Sequence, residues 1–349
     1  MKIVILNVGY TSYFCACWRA LARRTDVELK VFAPQTGVPY SYDVSEGLSI
    51  EILSEKDRAD YGSLARRVLD EKPDVIILSG WMTKWANPML TDKRFAKIRF
   101  LPFIDTSWMA SLRQLLARFA LHRFVKNVDG VIVAGERGRL FARWIGFENE
   151  KIFISAYGID TTLFASAQMP ERRVKSFLYV ARYDPAKGMD TMLAAYGKYR
   201  SLVSDPWPLN CYGWGGSNEL LRKAEGVNEM GFAQPRNLPE IFSNNGVYLL
   251  PSRYEPWGVS LAEAATAGMP LVCSHMVTSG VDVVRHLYNG LVFTAGDVDS
   301  LTRCLLWCHV HHDRLAQMGS LSRTYGLAYS AEAWAERIAW AAECVLAQK

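Results

Sequence analysis

The sequence predicts an α/β protein made of two successive doubly wound parallel sheets. The chain has 349 residues, which at roughly 150 residues per domain is enough for two domains. Half of the residues are hydrophobic and 21% are charged, a composition that excludes a disordered chain. Short β-branched runs alternate with helical patterns along nearly the whole chain. Because these runs are continuously apolar, they indicate strands buried on both faces, as in a parallel sheet.

The first half of the chain contains five predicted strands separated by helical patterns. The strands lie at 3–8, 27–32, 75–78, 98–104 and 130–133, with helices such as 16–24 and 64–69 between most of them. The run at 3–8 is too short for the apolar core of a signal peptide, so a buried first strand explains it better. We also expect a helix over 109–126.

The same pattern restarts in the second half. The predicted strands are 177–181, 209–212, 247–250 and 271–273, with helical patterns at 189–200, 220–224 and 259–267. Residues 165–173 lose the apolar periodicity that a helix or strand would show, which is typical of a linker. We therefore expect one domain at 1–165, a second at 166–329 and a long terminal helix within 330–349.

The charge distribution is uneven although the net charge is small. A net charge of +5 is too low to indicate a nucleic-acid partner. Residues 1–165 hold 23 basic and 18 acidic side chains, whereas 166–349 hold 17 of each. Within 84–126, nine basic residues stand among aromatic residues against two acidic ones. This segment either contacts an anionic membrane or an acidic acceptor, or is an ordinary helix with a solvated basic side.

The cysteines indicate a reducing compartment. Their number, seven, is odd, and their scattered positions form no disulfide framework. No apolar run approaches the ~18 residues of a membrane span. We therefore expect a cytoplasmic protein, with 84–126 as the candidate for peripheral contact with the inner face of a membrane. Cys304, Cys308 and His311 would share one helix face and could hold zinc, or the thiols are simply buried beside a His-rich helix end.

Several common catalytic motifs are missing from the sequence, namely GxGxxG, the P-loop, HExxH and GxSxG. What remains is a group of charged residues in the second half. Arg182 follows a predicted strand and Lys187 opens the next helix. An Arg fork and a Lys point charge on one loop suit a diphosphate, although a solvated Arg and Lys at a helix start would give the same pattern.

A second loop of this kind follows the strand at 247–250. It contains Glu255 in a tight Glu-Pro-Trp-Gly turn, after which a helix begins. The first amide groups of that helix, at Gly258, Val259 and Ser260, form an anion site. Glu263 lies one turn further, where a carboxylate could accept both hydroxyls of a ribose. Although a surface glutamate near a helix N-terminus is the alternative, a single acid on an apolar helix usually has a partner.

These residues resemble a known family. Glu255 and Glu263, with seven residues between them, are similar to the E-x7-E signature of family four of the retaining nucleotide-sugar glycosyltransferases, which have the GT-B fold. The segment at Arg182 and Lys187 resembles the same family. Further similar motifs follow in order over 176–300: Gly231-Phe232, Leu249-Leu250-Pro251-Ser252, Ala267-Gly268-Met269-Pro270, Asn289-Gly290-Leu291 and Gly296-Asp297.

The resemblance implies a role for each matching residue. Arg182 and Lys187 would neutralise the donor diphosphate, Glu255 would bind the transferred sugar, and the whole donor-binding set would be Arg182, Lys187, Gly231, Phe232, Glu255, Trp257, Gly258, Val259, Ser260 and Glu263. It also implies two Rossmann-like domains facing across a cleft, with the helix at 330–349 packed on the first. The family retains the anomeric configuration and requires no metal. The diphosphate-linked sugar is a substrate, so no cofactor is expected.

The acceptor side departs from the family pattern. The loop after the first strand carries one glycine, Gly9, followed by Tyr10, where the family has two adjacent glycines. Asp105 stands where the family has a histidine, and Tyr157 where it has an asparagine. We still assign Gly9 and Tyr10 to the acceptor side and Asp105 to the catalytic set with Glu255, Arg182 and Lys187.

The leading hypothesis is therefore a retaining glycosyltransferase that uses a nucleotide-diphosphate-sugar and a hydroxyl of a glycan or lipid-linked acceptor, in cell-surface polysaccharide or lipopolysaccharide biosynthesis. A sugar-nucleotide epimerase or hydrolase of the same fold is a second enzymatic hypothesis. A non-catalytic nucleotide-sugar-binding partner subunit is the third, because the acceptor side departs from the pattern.

Overall fold

A computed structural model describes residues 1–216 and 218–348 of the chain. Ser217 and Lys349, which fall in the predicted segments 166–329 and 330–349, lie outside the described residues. The chain divides into two compact units. The first comprises Met1–Gly158 and the C-terminal segment that begins at Ala331, and the second is Ile159–Ser330.

Each unit contains one sheet in which all strand pairs are parallel. The first sheet has the order β3-β2-β1-β4-β5-β6-β7, with β1 Lys2–Leu6, β2 Glu28–Ala33, β3 Ile50–Ile52, β4 Val75–Leu78, β5 Arg99–Ile104, β6 Val131–Val133 and β7 Ile152–Ile154. The second has the order β10-β9-β8-β11-β12-β13, with β8 Phe177–Val180, β9 Leu209–Tyr212, β10 Val227–Glu229, β11 Val247–Leu250, β12 Leu271–Ser274 and β13 Gly290–Phe293. The predicted fold class of two doubly wound parallel sheets is confirmed.

Helices connect the strands. In chain order they are α1 Ser12–Ala22, α2 Glu55–Ala59, α3 Tyr61–Asp70, α4 Leu112–Ala120, α5 His122–Lys126, α6 Gly135–Ile145, α7 Thr161–Ala165, α8 Met189–Leu202, α9 Asn218–Lys223, α10 Leu238–Ser243, α11 Val259–Thr266, α12 Thr278–Val283, α13 Val298–Val310, α14 Leu315–Gly326 and α15 Ala331–Ala347. The expected single helix over 109–126 is wrong. The side chain of Ser111 accepts the Gln114 amide and starts α4 at Leu112, and Leu121 leaves helical geometry between α4 and α5. No helix among the described residues is long and apolar enough to cross a membrane.

The apolar core lies on both faces of each sheet, as continuous apolar strands require. In β1, Ile3 and Ile5 pack on the side of α1 and α15, whereas Val4 and Leu6 pack on the opposite side. The second sheet is covered in the same way by α8 and α13 on one face and α11 on the other. Because the strand side chains are buried in the core, functional side chains are expected in the loops at the strand ends.

The order of the strands reverses once in each sheet. The chain leaves β1 toward β2 on one side and resumes from β4 toward β5 on the other; in the second sheet the same reversal separates β8 from β11. In doubly wound sheets, ligands bind beyond the carboxyl ends of the strands at such a point, because the two following loops diverge there and leave a crevice. The fold therefore points to the loops after β1 and β4 and the loops after β8 and β11.

Candidate functional site

The loops after β8 and β11 are locked together at the reversal point of the second sheet. Pro185–Lys187 forms one short 3₁₀ turn that ends at Gly188, whose φ of 70° is left-handed. A Cβ at Gly188 would lie 2.1 Å from the carbonyl oxygen of Pro251, so only glycine permits this approach. The amide of Arg253 donates to the carbonyl of Ala186 at 2.8 Å. The two loops therefore form one cradle.

The cradle brings Lys187 and Glu255 into direct contact. The Lys187 ammonium donates to the Glu255 carboxylate at 2.5 Å, and both side chains are largely buried, with exposed fractions of 15% and 10%. The hydroxyl of Ser252 donates to the same carboxylate oxygen at 3.2 Å. Arg182 is not part of this group, because its side chain is 65% exposed and lies 3.4 Å from Asp184.

The turn after Glu255 presents the N-terminus of α11 beside this ion pair. Gly258 precedes the helix with a φ of 96°, and a Cβ there would lie 2.9 Å from the Ser279 hydroxyl oxygen. The Ser279 amide donates to the carbonyl of Trp257 at 2.7 Å, which fixes the turn. Val259 and Ser260 form the first turn of α11, and amides at that position have no acceptor within the helix. These groups can hold an anion such as a phosphate.

Glu263 lies on the same helix and is half-buried. Its carboxylate has no hydrogen-bond donor or counter-ion among residues 1–216 and 218–348. Burial, followed by the charge of Asp160, raises the pKa of Glu263 to about 7. A ligand that supplies hydroxyl donors would stabilise this carboxylate, because a buried acceptor without a hydrogen-bond donor raises the free energy of the folded protein.

Gly231 and Phe232 follow β10 in the same unit. The main chain at Gly231 is already engaged, because its carbonyl accepts the Gly213 amide at 2.8 Å and its own amide donates to Glu229 at 3.0 Å. Gly231 has a φ of 74°, a left-handed conformation suited to glycine, and Phe232 is half-buried. The loop is thus held in a defined shape near the end of β9.

A separate cavity lies at the reversal point of the first sheet. Its volume is about 100 Å³, and it is lined by Ile5, Asn7, Val8, Phe14, Trp18, Ile77, Leu78, Ser79, Phe103, Asp105, Tyr157 and Trp334. The Tyr157 hydroxyl donates to the Asp105 carboxylate at 3.1 Å. Burial and the nearby Asp105 charge raise the pKa of Tyr157 well above its usual value. An aromatic wall with a few polar groups is typical of a small-molecule pocket.

Gly9 and Tyr10 lie next to this cavity without lining it. A Cβ at Gly9 would lie 2.6 Å from the Thr36 methyl group, and the carbonyl of Gly9 accepts the Asn7 side-chain amide. Tyr10 is 7% exposed, and its carbonyl accepts the Thr36 hydroxyl at 2.7 Å. Both residues shape the loop from which Asn7 and Val8 reach the cavity.

Hydroxyl residues that hold the two sites were not assigned a role from the sequence. The side chain of Thr278 donates to the Glu255 carbonyl at 3.1 Å, and Ser79 donates to the side chain of Asn7. A usable signal was present for Ser252 and Ser79, since each is a hydroxyl residue within two positions of the end of an apolar strand. Thr278 and Ser279 carried no such signal, because they reach the site from a helix that begins after β12.

The Cys/His group in the second unit is structural. Cys304 and Cys308 are buried in the apolar core on the face of α8 and α13. His309 shares a hydrogen bond of 2.8 Å with the Tyr199 hydroxyl, and His311 one of 2.9 Å with the carbonyl of Trp307. In the part of the chain that the structure describes, no group of three or more His, Cys, Asp or Glu side chains is arranged to hold a metal ion.

A known family and several known proteins are similar to this chain. The profile of the family "Glycosyl transferases group 1" matches residues 164–324, which lie within the second unit. An O-antigen chain mannosyltransferase B from Escherichia coli is 30% identical over 137 residues, which are 37% of this chain and 35% of that protein. The chain spans only 14–36% of the length of the first five curated relatives that it matches.

Solved structures match the whole chain. A sucrose-phosphate synthase from Thermosynechococcus elongatus covers 100% of both chains with a TM-score of 0.78 and 18% identity. Anabaena HepE, solved in complex with UDP and glucose, covers 97% of this chain and 98% of its own with a TM-score of 0.75 and 15% identity. At these identities the likeness concerns the fold, and it confirms the predicted GT-B class of two parallel-sheet α/β domains.

Proposed function

We propose that this chain is a retaining, metal-independent glycosyltransferase that moves a sugar from a nucleotide-diphosphate-sugar to a hydroxyl of a glycan or lipid-linked acceptor. The observation that carries the proposal is the grouping of Lys187, Glu255, Glu263 and the N-terminus of α11 at the reversal point of a group 1 domain. The similarity to an O-antigen mannosyltransferase favours cell-surface polysaccharide or lipopolysaccharide biosynthesis. Seven free thiols suit a cytoplasmic site of action.

The donor diphosphate binds against the positive groups of the cradle. The amides of Val259 and Ser260 hold one phosphate, and Lys187 donates to it while remaining beside Glu255. Arg182, which is largely exposed and lies beside Asp184 in the free protein, joins them when the donor binds. Fixed positive groups of this kind stabilise the charge that develops on a leaving diphosphate, which is the role a metal ion would otherwise fill.

The remaining residues orient the nucleotide and the sugar. Glu263 accepts the ribose hydroxyls, which satisfies its unpaired carboxylate. Glu255, freed in part from Lys187 by the phosphate, accepts hydroxyls of the transferred sugar. Phe232 contacts the base, and Trp257 supports the turn through its backbone.

Transfer then proceeds on the face from which the diphosphate leaves. The bond between the anomeric carbon and the diphosphate oxygen breaks, and the acceptor oxygen bonds to the same carbon from the same side. The acceptor proton passes to the departing phosphate oxygen, so no side-chain nucleophile is required. The cavity at Asp105 is the acceptor-side pocket, in which aromatic rings pack on a sugar and the carboxylate accepts a hydroxyl.

The test combines donor binding with turnover. A thermal-shift screen of UDP-, GDP-, ADP- and dTDP-sugars identifies the donor, because a ligand that binds the folded state raises its melting temperature. Lys187→Ala and Glu263→Ala are expected to abolish transfer to a panel of glycan and lipid-linked acceptors, whereas Lys198→Ala, on the exposed side of α8, leaves it unchanged. Full activity in both site variants would refute the assignment. A free epimer released without acceptor would favour an epimerase, and tight binding without turnover a non-catalytic subunit.

A further inference from the structure

Helix α4 turns its apolar stripe away from the unit to which it belongs. Leu112 and Phe119 are each 80% exposed, Leu116 is 66% exposed and Leu115 is 36% exposed. The four residues follow the i, i+3, i+4, i+7 spacing that places side chains on one helix face. In an ordinary surface helix of a globular protein, such an apolar face would pack against the core.

The opposite face of α4 is anchored by polar contacts. Gln114 is buried, and its side-chain amide donates to the Ser107 carbonyl at 2.6 Å while its side-chain oxygen accepts the Met109 amide at 2.7 Å. The indole of Trp144, on α6, donates to the Gln114 carbonyl at 3.0 Å. These bonds fix the rotation of the helix, so the outward direction of the leucines is built into the fold.

Unpaired cations surround this stripe. The Arg and Lys side chains of α4 and α5 are all exposed, and among the described residues none of them forms an ion pair: Arg113, Arg118, Arg123 and Lys126. Residues 106–128 contain no Asp or Glu. Elsewhere in the segment 84–126, Arg94 and Arg99 pair with aspartates. The segment 112–126 therefore carries four Arg and Lys side chains and no acidic residue.

We propose that the surface formed by α4 and α5 docks on an anionic phospholipid bilayer. The stripe of Leu112, Leu115, Leu116 and Phe119 enters the boundary between headgroups and acyl chains, and the flanking cations contact the lipid phosphates. Charge complementarity selects this occupant. In a symmetric pair of this chain the same cations would face one another across the contact, which is repulsive. The proposal goes beyond sugar transfer, because it concerns a surface of the first unit that the donor cradle does not use.

The test is vesicle flotation of the full chain. We expect binding to vesicles of phosphatidylglycerol and phosphatidylcholine, and none to phosphatidylcholine alone. Leu116→Gln/Phe119→Gln is expected to weaken the partition coefficient roughly tenfold or more, because it removes apolar area from the bilayer. Arg118→Gln/Arg123→Gln is expected to weaken it by about fivefold per cation and to reduce the salt dependence.

Matched controls distinguish docking through α4 and α5 from non-specific adsorption to vesicles. Leu220→Gln/Val310→Gln removes two exposed apolar side chains of the second unit, and Arg66→Gln/Arg303→Gln removes the same charge elsewhere; both are expected to bind as the wild type does. The proposal is overturned if the wild type does not bind anionic vesicles, or if the variants of α4 and α5 bind them as well as the control variants do. It is equally overturned if gel filtration shows a dimer that Leu116→Gln/Phe119→Gln dissociates. Because flotation needs no donor or turnover, its failure would leave the proposed transferase activity standing.

Discussion

Replacing Glu263 with glutamine is expected to stabilise the protein at pH 8 and to leave its stability nearly unchanged at pH 4.5. The reason is the unpaired, half-buried carboxyl group, whose pKa is raised to about 7 by burial and by the Asp160 charge. In the unfolded chain the same group ionises near its ordinary value of 4.5. The unfolded state therefore binds fewer protons than the folded state between these two pH values.

The sign and the size follow from this difference. Stability falls with rising pH wherever the unfolded state binds fewer protons, so Glu263 reduces the free energy of unfolding progressively from pH 4.5 to pH 7. An interval of about 2.5 pH units corresponds to about 3 kcal/mol. Glutamine has nearly the same shape and no charge, so Glu263→Gln recovers this free energy above pH 7. For a unit of this size each kcal/mol shifts the melting temperature by about 2–4 °C, which gives an increase of about 6–12 °C.

The assay is the apparent melting temperature of the wild type and Glu263→Gln, followed by fluorescence from pH 4.5 to pH 8.5. Glu171→Gln is the control, because Glu171 is an exposed glutamate of the same unit, and its difference from the wild type is expected not to vary with pH. If the difference in melting temperature between Glu263→Gln and the wild type also does not vary with pH, the pKa of Glu263 is not raised. The carboxylate would then not be an unpaired buried acceptor. The same variant is expected to lose its donor-induced shift.

Three further changes probe the cradle and the cavity. Lys187→Met leaves the buried Glu255 carboxylate without its cation and is expected to cost about 3 kcal/mol in urea unfolding; an unchanged midpoint would mean that the ion pair contributes little. Gly258→Ala places a side chain in the left-handed region and against Ser279, which is expected to lower the free energy of unfolding by about 2 kcal/mol. The control Gly197→Ala, in open space on α8, is expected to be neutral or slightly stabilising. Equal melting temperatures for the two variants would contradict this steric explanation. Tyr157→Phe removes a hydrogen bond worth about 1 kcal/mol and is expected to raise the KM for acceptor more than it lowers kcat, and a KM that does not move would remove the cavity from acceptor binding.

The sequence predicted the interior strands well and the edges poorly. All nine predicted strands are present, and the four that were missed, β3, β7, β10 and β13, are the outer strands of the two sheets. An outer strand packs against one neighbour only, and three of these four are three residues long. Their apolar signal is therefore too short to stand out from loops.

The candidate site shows a similar division. Positions near predicted strand ends and helix starts pointed to Lys187, Glu255 and Glu263, and the family resemblance supplied their expected roles. The direct bond between Lys187 and Glu255 could not be predicted, because 68 residues separate them along the chain. The outward stripe of α4 was also hidden. In sequence, leucines at helical spacing normally mark a core face, and it takes the structure, in which the leucines are exposed and Gln114 is buried, to show that this helix is turned the other way.

The contact between Gly188 and Pro251 has a consequence for any change of donor preference. Because the carbonyl of Pro251 occupies the space where a side chain of residue 188 would stand, neither loop can change its path unless the other changes with it. A hybrid protein that took only one of the two loops from a relative with a different donor would contain two loops whose backbones do not fit together. Variation in this part of the molecule is therefore expected to come in pairs of loops, so that new specificity is reached by exchanging 182–188 and 251–258 together.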